Sequence, residues 1–272
     1  MRAPALRALG FLSGADTVRE EAREVARGHS VLSLGRPRPR DERRRRATRE
    51  CLLALAAVEA MLEDGSAGAP AIAGERTALL YATAAGYAAS NRAFIERRGG
   101  SIHFAYTAPA VVPAEVAIEF GVTGPYAIFL GGPPATLRAI WQAAIWLEAG
   151  MCDRALVLAV EIFEECADLY ARTRRPGSRP LAEAAGCAWL EPGHGDLTFQ
   201  SERGGRPRAG TRHAEASEMF GCEPLAALDR WRRGPPPTPL ELSGAWRGEQ
   251  ARLVWTEPAD VARPDGGGGA SE

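Results

Sequence analysis

One stretch of the chain, from Gly124 to Gly150, has the residue types and spacing of a catalytic turn. Tyr126 to Leu130 is a short apolar run before Gly131-Gly132, a pattern typical of a buried strand that ends in a tight turn. A helix is predicted from Ala135 to Leu147, because apolar residues cover most of its circumference. A nucleophile at such a turn is activated, since the helix N-terminus lowers its pKa and offers N–H donors to an oxyanion.

The turn itself, however, carries no nucleophile. Its sequence is Gly-Gly-Pro-Pro, ending in Pro133 and Pro134, and no side chain there can attack a carbonyl group. Each proline also removes a backbone N–H donor. Proline is tolerated at the start of a helix, because the N–H group at that position has no partner within the helix. The residues therefore predict the framework of a catalytic turn without its catalyst.

The other residues that could do chemistry are five cysteines and four histidines. The cysteines are odd in number and widely spaced, without a C-x-x-C pair, which argues against a disulfide framework or a metal site and favours a reduced compartment. All 33 basic residues are arginine, so lysine Schiff-base chemistry is excluded. We expect no metal and no cofactor.

Charge and hydropathy limit which classes of protein the chain can belong to. The chain has 272 residues and a formal charge of −1, which gives no overall preference for nucleic acid or membrane surfaces. Residues 1–16 lack the continuous apolar core of a signal peptide. No stretch reaches the roughly 18 apolar residues that a membrane span needs. We expect a cytoplasmic protein without a membrane span.

The catalytic-turn stretch resembles the active-site segment of β-ketoacyl synthases, which belong to the thiolase-like superfamily. Gly124-Pro125 matches the start of the family pattern, Ala139-Ile140 matches its helix, and the residues from Gly150 to Asp153 match its G-x-x-D end. The match needs no gap and places Pro133 where the family has its catalytic cysteine. The resemblance therefore implies a degenerate nucleophile position at Pro133 and no independent condensing activity.

The resemblance covers about residues 1 to 201, in which predicted strands and helices alternate in the manner of an α/β protein. It implies one half of a thiolase-like fold, with a mixed, mostly parallel five-stranded sheet and helices on both faces. We divide the chain into a ketosynthase-like N-terminal-type domain (1–203), a partly ordered C-terminal extension (204–258) and a disordered tail (259–272). In the extension, strands are predicted at 240–243 and 252–255.

In complete synthases the second half of the fold supplies two catalytic histidines. In this chain no histidine has the flanking sequence that the family shows around its two catalytic histidines. The four histidines are His29, His103, His194 and His213. Each is therefore interpreted as a surface or structural histidine.

An arginine-rich segment opens a helix that is predicted from Asp41 to Glu63. The family resemblance makes docking to an acidic acyl carrier protein plausible for its first residues, Arg43, Arg44 and Arg46. A solvated helix face is the ordinary alternative. A nucleic-acid site over Arg36 to Arg49 is less favoured, because no aromatic residues are interleaved and acidic residues are mixed in. A short charged helix is expected from Thr17 to Arg27.

A half fold would leave apolar surface uncovered, and large apolar patches usually mark an interface. We assign Tyr126, Phe129 and Trp141 to a tunnel or an interface on this ground. Phe104 and Tyr106 are candidates to line an acyl tunnel, with ordinary core or interface packing as the more frequent role for such residues. Either a partner or the C-terminal extension is expected to cover the helix from 135 to 147, and we favour a partner.

The chain resembles the short chain length factors of aryl-polyene-type systems, which are synthase-like subunits that lack the cysteine. The resemblance implies a non-catalytic subunit that pairs with an active ketosynthase in fatty-acid, polyketide or aryl-polyene-like biosynthesis. The alternative is a thiolase-like enzyme of altered chemistry, thioester hydrolysis or decarboxylation, with Cys152 or Cys166 as its nucleophile. A third interpretation is the nucleic-acid module described above.

Overall fold

The strands and helices of the chain follow a regular alternation. The structure is a computed structural model that describes residues 1–16, 23–26, 29–35, 37, 47–96, 107–173, 179–204, 217–234 and 239–256. The strands of these residues are β1 (Arg2–Ser13), β2 (Arg23–Ala26), β3 (His29–Leu32), β4 (Thr77–Thr83), β5 (Tyr126–Leu130), β6 (Arg154–Glu161), β7 (Leu181–Ala182), β8 (Ala184–Arg203), β9 (Leu240–Trp246) and β10 (Glu249–Thr256). Their helices are α1 (Arg49–Asp64), α2 (Ala88–Ile95), α3 (Val111–Phe120), α4 (Pro133–Glu148), α5 (Phe163–Thr173) and α6 (Glu223–Arg233).

The main sheet has seven strands, in the order β5-β4-β6-β8-β10-β9, with β1 paired to β8. Strands β5, β4 and β6 are parallel, whereas β8 is antiparallel to β6, to β1 and to β10. The predicted α/β class with a mixed sheet is confirmed. The sheet has seven strands because the C-terminal extension adds the antiparallel hairpin β9-β10 to five strands. It has fewer parallel pairs than expected because β8 runs antiparallel to each strand beside it.

The two central strands, β4 and β6, are buried along almost their whole length, because helices cover both faces of the sheet. In β4, Leu79 and Tyr81 point to the face covered by α1 and α3, while Leu80 and Ala82 point to the face covered by α4 and α6. This alternation follows from the period of two in a strand. Parallel strands that are buried on both faces read as continuous apolar runs, and β6 has the same character.

The strand before the catalytic turn lies at the edge of the sheet, so the prediction of a buried strand was wrong. The side chains of Tyr126 and Leu130 are 68% and 63% exposed. The helix α4 that follows is covered by the sheet on one side, and β9, β10 and α6 also pack against it. Its remaining face is only partly covered and carries Trp141, Ile145 and Trp146. The extension therefore covers more of α4 than expected.

Several element boundaries differ from the prediction. Arg23 to Ala26, within the predicted helix 17–27, is a strand because it pairs with β3. Helix α1 begins at Arg49, where Thr48 Oγ1 accepts a hydrogen bond from Cys51 N; residues 41–46 lie outside the described part. Residues 184–203 form one long strand, β8, because β1 and β10 together pair along its whole length.

Within the described residues, every helix is too short or too polar to cross a membrane.

Candidate functional site

The site forms where three parallel strands end side by side. Strands β4, β5 and β6 end at Thr83, Leu130 and Glu161, and the N–H of Gly131 donates to the carbonyl oxygen of Thr83 at 2.9 Å. Gly131 has a φ of 147°, a value that favours glycine, so the turn depends on this residue. Helix α4 then begins at Pro133, two residues before the predicted start at Ala135.

Pro133, the predicted nucleophile position, is buried beneath the C-terminal extension. Pro133 packs against the backbone of Gly244, where an added Cβ would collide with the proline ring. A Cβ at Gly132 would lie 2.5 Å from the indole ring of Trp246. The indole therefore lies directly on the turn, and hairpin β9-β10 fills the space in front of it.

A second part of the extension, residues 217–222, closes the same region, and we call it the cap segment. Thr136 Oγ1, in the first turn of α4, donates to the carbonyl oxygen of Gly221 at 2.6 Å. The ring of Phe220 meets the indole of Trp246 edge to face, with 5.4 Å between centroids. Cys222 Sγ donates to the carbonyl oxygen of Ala184 at 3.3 Å. The cap segment and Trp246 thus fill the space around the turn.

Glu161 lies behind the cap segment and is fully buried. Its Oε1 accepts from the N–H groups of Ala84 at 2.6 Å and Gly221 at 3.1 Å. Burial raises the pKa of Glu161 to about 7, although these hydrogen bonds oppose the shift. Sequence reasoning missed this residue. The available signal was an acidic residue that directly ends the apolar run of β6.

Three more glutamates are buried near the ends of these strands. Glu50 accepts from the hydroxyl of Tyr81 at 2.5 Å, and burial raises the pKa of Glu50 well above its ordinary value. Glu165 accepts from the N–H groups at the start of α2 and thereby caps that helix. Glu183 forms an ion pair with Arg49. No pattern in the sequence distinguishes these glutamates from exposed ones.

None of the thiols has the environment of an activated nucleophile. Burial is the largest cause of a raised pKa at Cys152. Burial also raises the pKa of Cys166, in this case well above the ordinary value of a thiol. Burial likewise raises the pKa of Cys51 to about 11. A thiol with a raised pKa holds little thiolate at neutral pH. Among the histidines, His194 is exposed on β8 and His29 belongs to β3, while 103 and 213 lie outside the described residues.

The structure describes three of the tunnel and interface residues predicted from the sequence, Tyr126, Phe129 and Trp141. Tyr126 is exposed at the sheet edge, whereas Phe129 is partly buried against the core on the α4 side. Trp141 stacks on Phe199 with 5.6 Å between ring centroids. The remaining predicted residues lie outside the described part of the chain; these are Phe104, Tyr106, Arg43, Arg44 and Arg46. In the described part, no group of three or more acidic, cysteine or histidine residues could hold a metal ion.

A cysteine placed at the degenerate position is expected to be shielded from solvent. We expect the thiol of Pro133→Cys to be alkylated at least about 100-fold more slowly than an unfolded thiol, because only local opening exposes it. Adding Trp246→Ala is expected to raise this rate by about tenfold or more, since the indole covers the turn. The measurement is iodoacetamide labelling resolved by peptide mass spectrometry.

The matched control is Ala245→Cys, because Ala245 is exposed on the same hairpin, next to Trp246. Its thiol is expected to react nearly as fast as an unfolded one. If Pro133→Cys reacted as fast as this control, the turn would be open in solution and the described packing of Trp246 would be incorrect.

The segment that contains this site matches a known protein family. The family model of the beta-ketoacyl synthase N-terminal domain matches residues 38–179, just over half of the chain. The comparison with curated protein sequences finds no match.

Among solved structures, the chain is similar to one of the ishigamide ketosynthase/chain length factor, with 15% identity and a TM-score of 0.70, covering 94% of this chain and 99% of that one. A ketosynthase (ApeO) in complex with its chain length factor (ApeC) from Xenorhabdus doucetiae gives 13% identity and a TM-score of 0.58, covering 93% and 100%. The complex AntDE:AntF, a type II PKS acyl-carrier protein with its ketosynthase bound to the hexaketide, gives 14% identity and a TM-score of 0.68, covering 95% and 100%. At these identities the likeness shows a shared fold.

Proposed function

Because the chain belongs to the beta-ketoacyl synthase family through its N-terminal domain, we propose that it is a non-catalytic subunit of the chain length factor type. In this role it pairs with an active ketosynthase that supplies the nucleophile. The observation that carries the proposal is the buried Pro133 at the nucleophile position, which lies beneath Trp246 and Gly244. A proline can neither attack a thioester nor donate a backbone hydrogen bond to an oxyanion.

Among the described residues β5 pairs on one side only, with β4, and this free edge supports a partner subunit. An exposed edge strand offers free N–H and C=O groups that another chain can extend into a continuous sheet. Here the edge also presents two large, exposed apolar side chains, Tyr126 and Leu130. Two of the structurally similar proteins described above are ketosynthase and chain length factor assemblies, which is the arrangement we propose for this chain.

The wider role follows from the same assignment. We infer participation in fatty-acid, polyketide or aryl-polyene-like biosynthesis, with an acyl carrier protein that delivers substrates to the pair. A structurally similar ketosynthase is in complex with an acyl-carrier protein, which supports this partner. The cytoplasmic location stays a prediction. The alternative of an independent thioester enzyme is disfavoured, because burial raises the pKa of both candidate thiols, Cys152 and Cys166.

Co-expression with a ketosynthase that retains its cysteine tests the proposal. We expect a one-to-one complex in size-exclusion chromatography with mass detection, and condensing activity only in the pair. Activity should survive Pro133→Ala in this chain and be lost when the partner's cysteine is replaced by alanine. A folded chain that elutes alone with every such ketosynthase, and adds nothing to its activity, would overturn the proposal.

A further inference from the structure

One fully buried carboxylate holds the cap segment at its centre. Glu161 Oε1 accepts from Gly221 N, in the cap segment, and from Ala84 N, directly after β4. The other oxygen, Oε2, lies 3.1 Å from Cys166 Sγ on α5. The fit is close, because a Cβ at Gly221 would lie 2.6 Å from Glu161 Oε1. A single side chain at the end of β6 therefore joins the cap segment to two other parts of the fold.

We propose that Glu161 is a proton-controlled latch: with its carboxyl group protonated the cap segment stays closed over the start of α4, and loss of the proton favours opening. Opening removes the Gly221 contacts to Glu161 and to Thr136, and thereby uncovers Thr136 in the first turn of α4. The proposal concerns the isolated chain and is independent of the proposed pairing with a ketosynthase.

The surroundings suit a protonated carboxyl group. Oε1 accepts from two backbone N–H groups in either protonation state. Oε2 accepts from Cys166 Sγ at 3.1 Å and from Thr83 Oγ1 at 3.4 Å, and both of these atoms can also accept, so a protonated Oε2 has a partner for its own hydrogen. An ionised carboxylate in the same place loses its hydration, and no cation of the described residues is among the main causes that shift its pKa. Consistent with this, burial raises the pKa of Glu161 to about 7.

One acid among the titratable groups around Glu161, Glu50 on α1, favours the protonated form. The groups that interact with Glu161 are this acid, two thiols and a phenol, contributed by α1, β4, α5 and the cap segment: Glu50, Tyr81, Cys166 and Cys222. The nearest arginine on α1, Arg49, is already paired with Glu183. Like charges disfavour ionisation of a buried acid.

The cap segment itself is strained, which lowers the barrier to its release. Phe220 has a φ of 44°, a left-handed conformation that is unfavourable for a bulky side chain. Strain of this kind persists only where the surrounding contacts enforce it, and it is common in segments that switch. The contacts that enforce it here include the ring of Trp246 and the hydrogen bond from Gly221 to Glu161.

The sign of the pH dependence follows from linkage. Opening exposes Glu161 to water, so its pKa falls from about 7 toward the ordinary value of 4.5. The closed state therefore binds a proton that the open state releases. Closure is strongest at a pH below the lower of the two pKa values. The opening constant rises with pH between the two values and is level above about 7. From about pH 5.5 to about pH 8.5 the expected rise is roughly 30-fold.

Alkylation of the native Cys222 measures this opening in the full-length chain. Cys222 is fully buried in the cap segment, so it reacts only when the segment opens. Dividing its labelling rate by that of the same peptide thiol in unfolded protein at the same pH gives the opening constant. We expect the roughly 30-fold rise stated above for Cys222. Cys187, buried on β8, is the internal control and should not follow this profile.

The matched variant is Glu161→Gln, which imitates the protonated acid: its amide accepts from the two N–H groups and donates toward Cys166 and Thr83. We expect its Cys222 opening constant to stay near the low-pH value, within about threefold, across the range. The wild-type profile decides the proposal by itself if this variant does not fold. A flat wild-type profile, a Cys187 rate that rises in step with Cys222, or an unchanged slope in Glu161→Gln would each overturn it.

Discussion

Replacing Tyr126 with Glu and Leu130 with Arg is expected to weaken binding of the ketosynthase partner by at least about 100-fold, because both side chains belong to the proposed interface. They are the large exposed apolar groups of β5. A charge in a packed interface remains unpaired and desolvated, which is far more costly than a charge in water. Surface plasmon resonance or titration calorimetry with the purified partner measures the change.

The backbone of β5 provides a second, independent variant. Leu79 N donates to Pro125 O and Gly131 N donates to Thr83 O, so the odd-numbered residues of the strand face β4. The N–H of Ile128 consequently points to the open edge. Ile128→Pro removes this one donor and leaves the pairing with β4 in place. We expect about tenfold weaker binding, because proline blocks edge-to-edge strand addition.

The control for both variants is Thr198→Arg, an exposed position on β8 that β4 and β6 separate from β5. This charge should leave the affinity within about twofold of wild type, because it lies outside the proposed interface. Wild-type affinity in the Tyr126→Glu, Leu130→Arg double variant would show that the partner binds elsewhere.

Glu183→Ala is expected to cost about 3–5 kcal/mol of folding free energy, because it removes the buried carboxylate that balances the charge of Arg49 and accepts from two backbone N–H groups. Glu183 accepts from Arg49 at 2.5 and 3.1 Å, from Leu34 N at 2.8 Å and from Phe163 N at 3.3 Å. The side chain of Glu183 is fully buried. One carboxylate therefore connects three separate segments, and urea unfolding followed by circular dichroism measures its loss.

The matched control is Glu241→Ala. Glu241 pairs with Arg252 through two hydrogen bonds of 2.7 and 2.6 Å, a similar geometry at an exposed position on the β9-β10 hairpin. Solvent screens such a pair, so its removal should shift the unfolding midpoint far less than Glu183→Ala does. Equal shifts in the two variants would contradict the structural role assigned to the buried pair.

Some features of the fold depend on local sequence alone and could be predicted from it. The central strands β4 and β6 are almost continuous apolar runs. Such a run is typical of a strand in the middle of a sheet that is covered on both faces. The absence of a nucleophile at the turn is a matter of residue type at Pro133. The two short apolar segments of the extension, at 240–243 and 252–255, were sufficient to predict its two strands. In the structure these strands, β9 and β10, pair with each other.

Other features were decided by contacts between residues far apart in the chain. Residues 23–26 became a strand because β3 lies beside them, which outweighs their local preference. The edge position of β5 depends on which strands flank it, and an apolar run of five residues reads the same in the centre and at the edge. The sequence pattern therefore located this strand correctly but not its exposure.

The site shows the same division. Residue types and spacing were sufficient to identify the strand, turn and helix around Pro133 and to recognise that the catalyst is missing. Only the tertiary structure placed Trp246 on the turn and Gly221 against Glu161, more than 50 residues away along the chain. The physical reason is that burial and pKa are properties of the packed surroundings, and long-range packing brings those surroundings together.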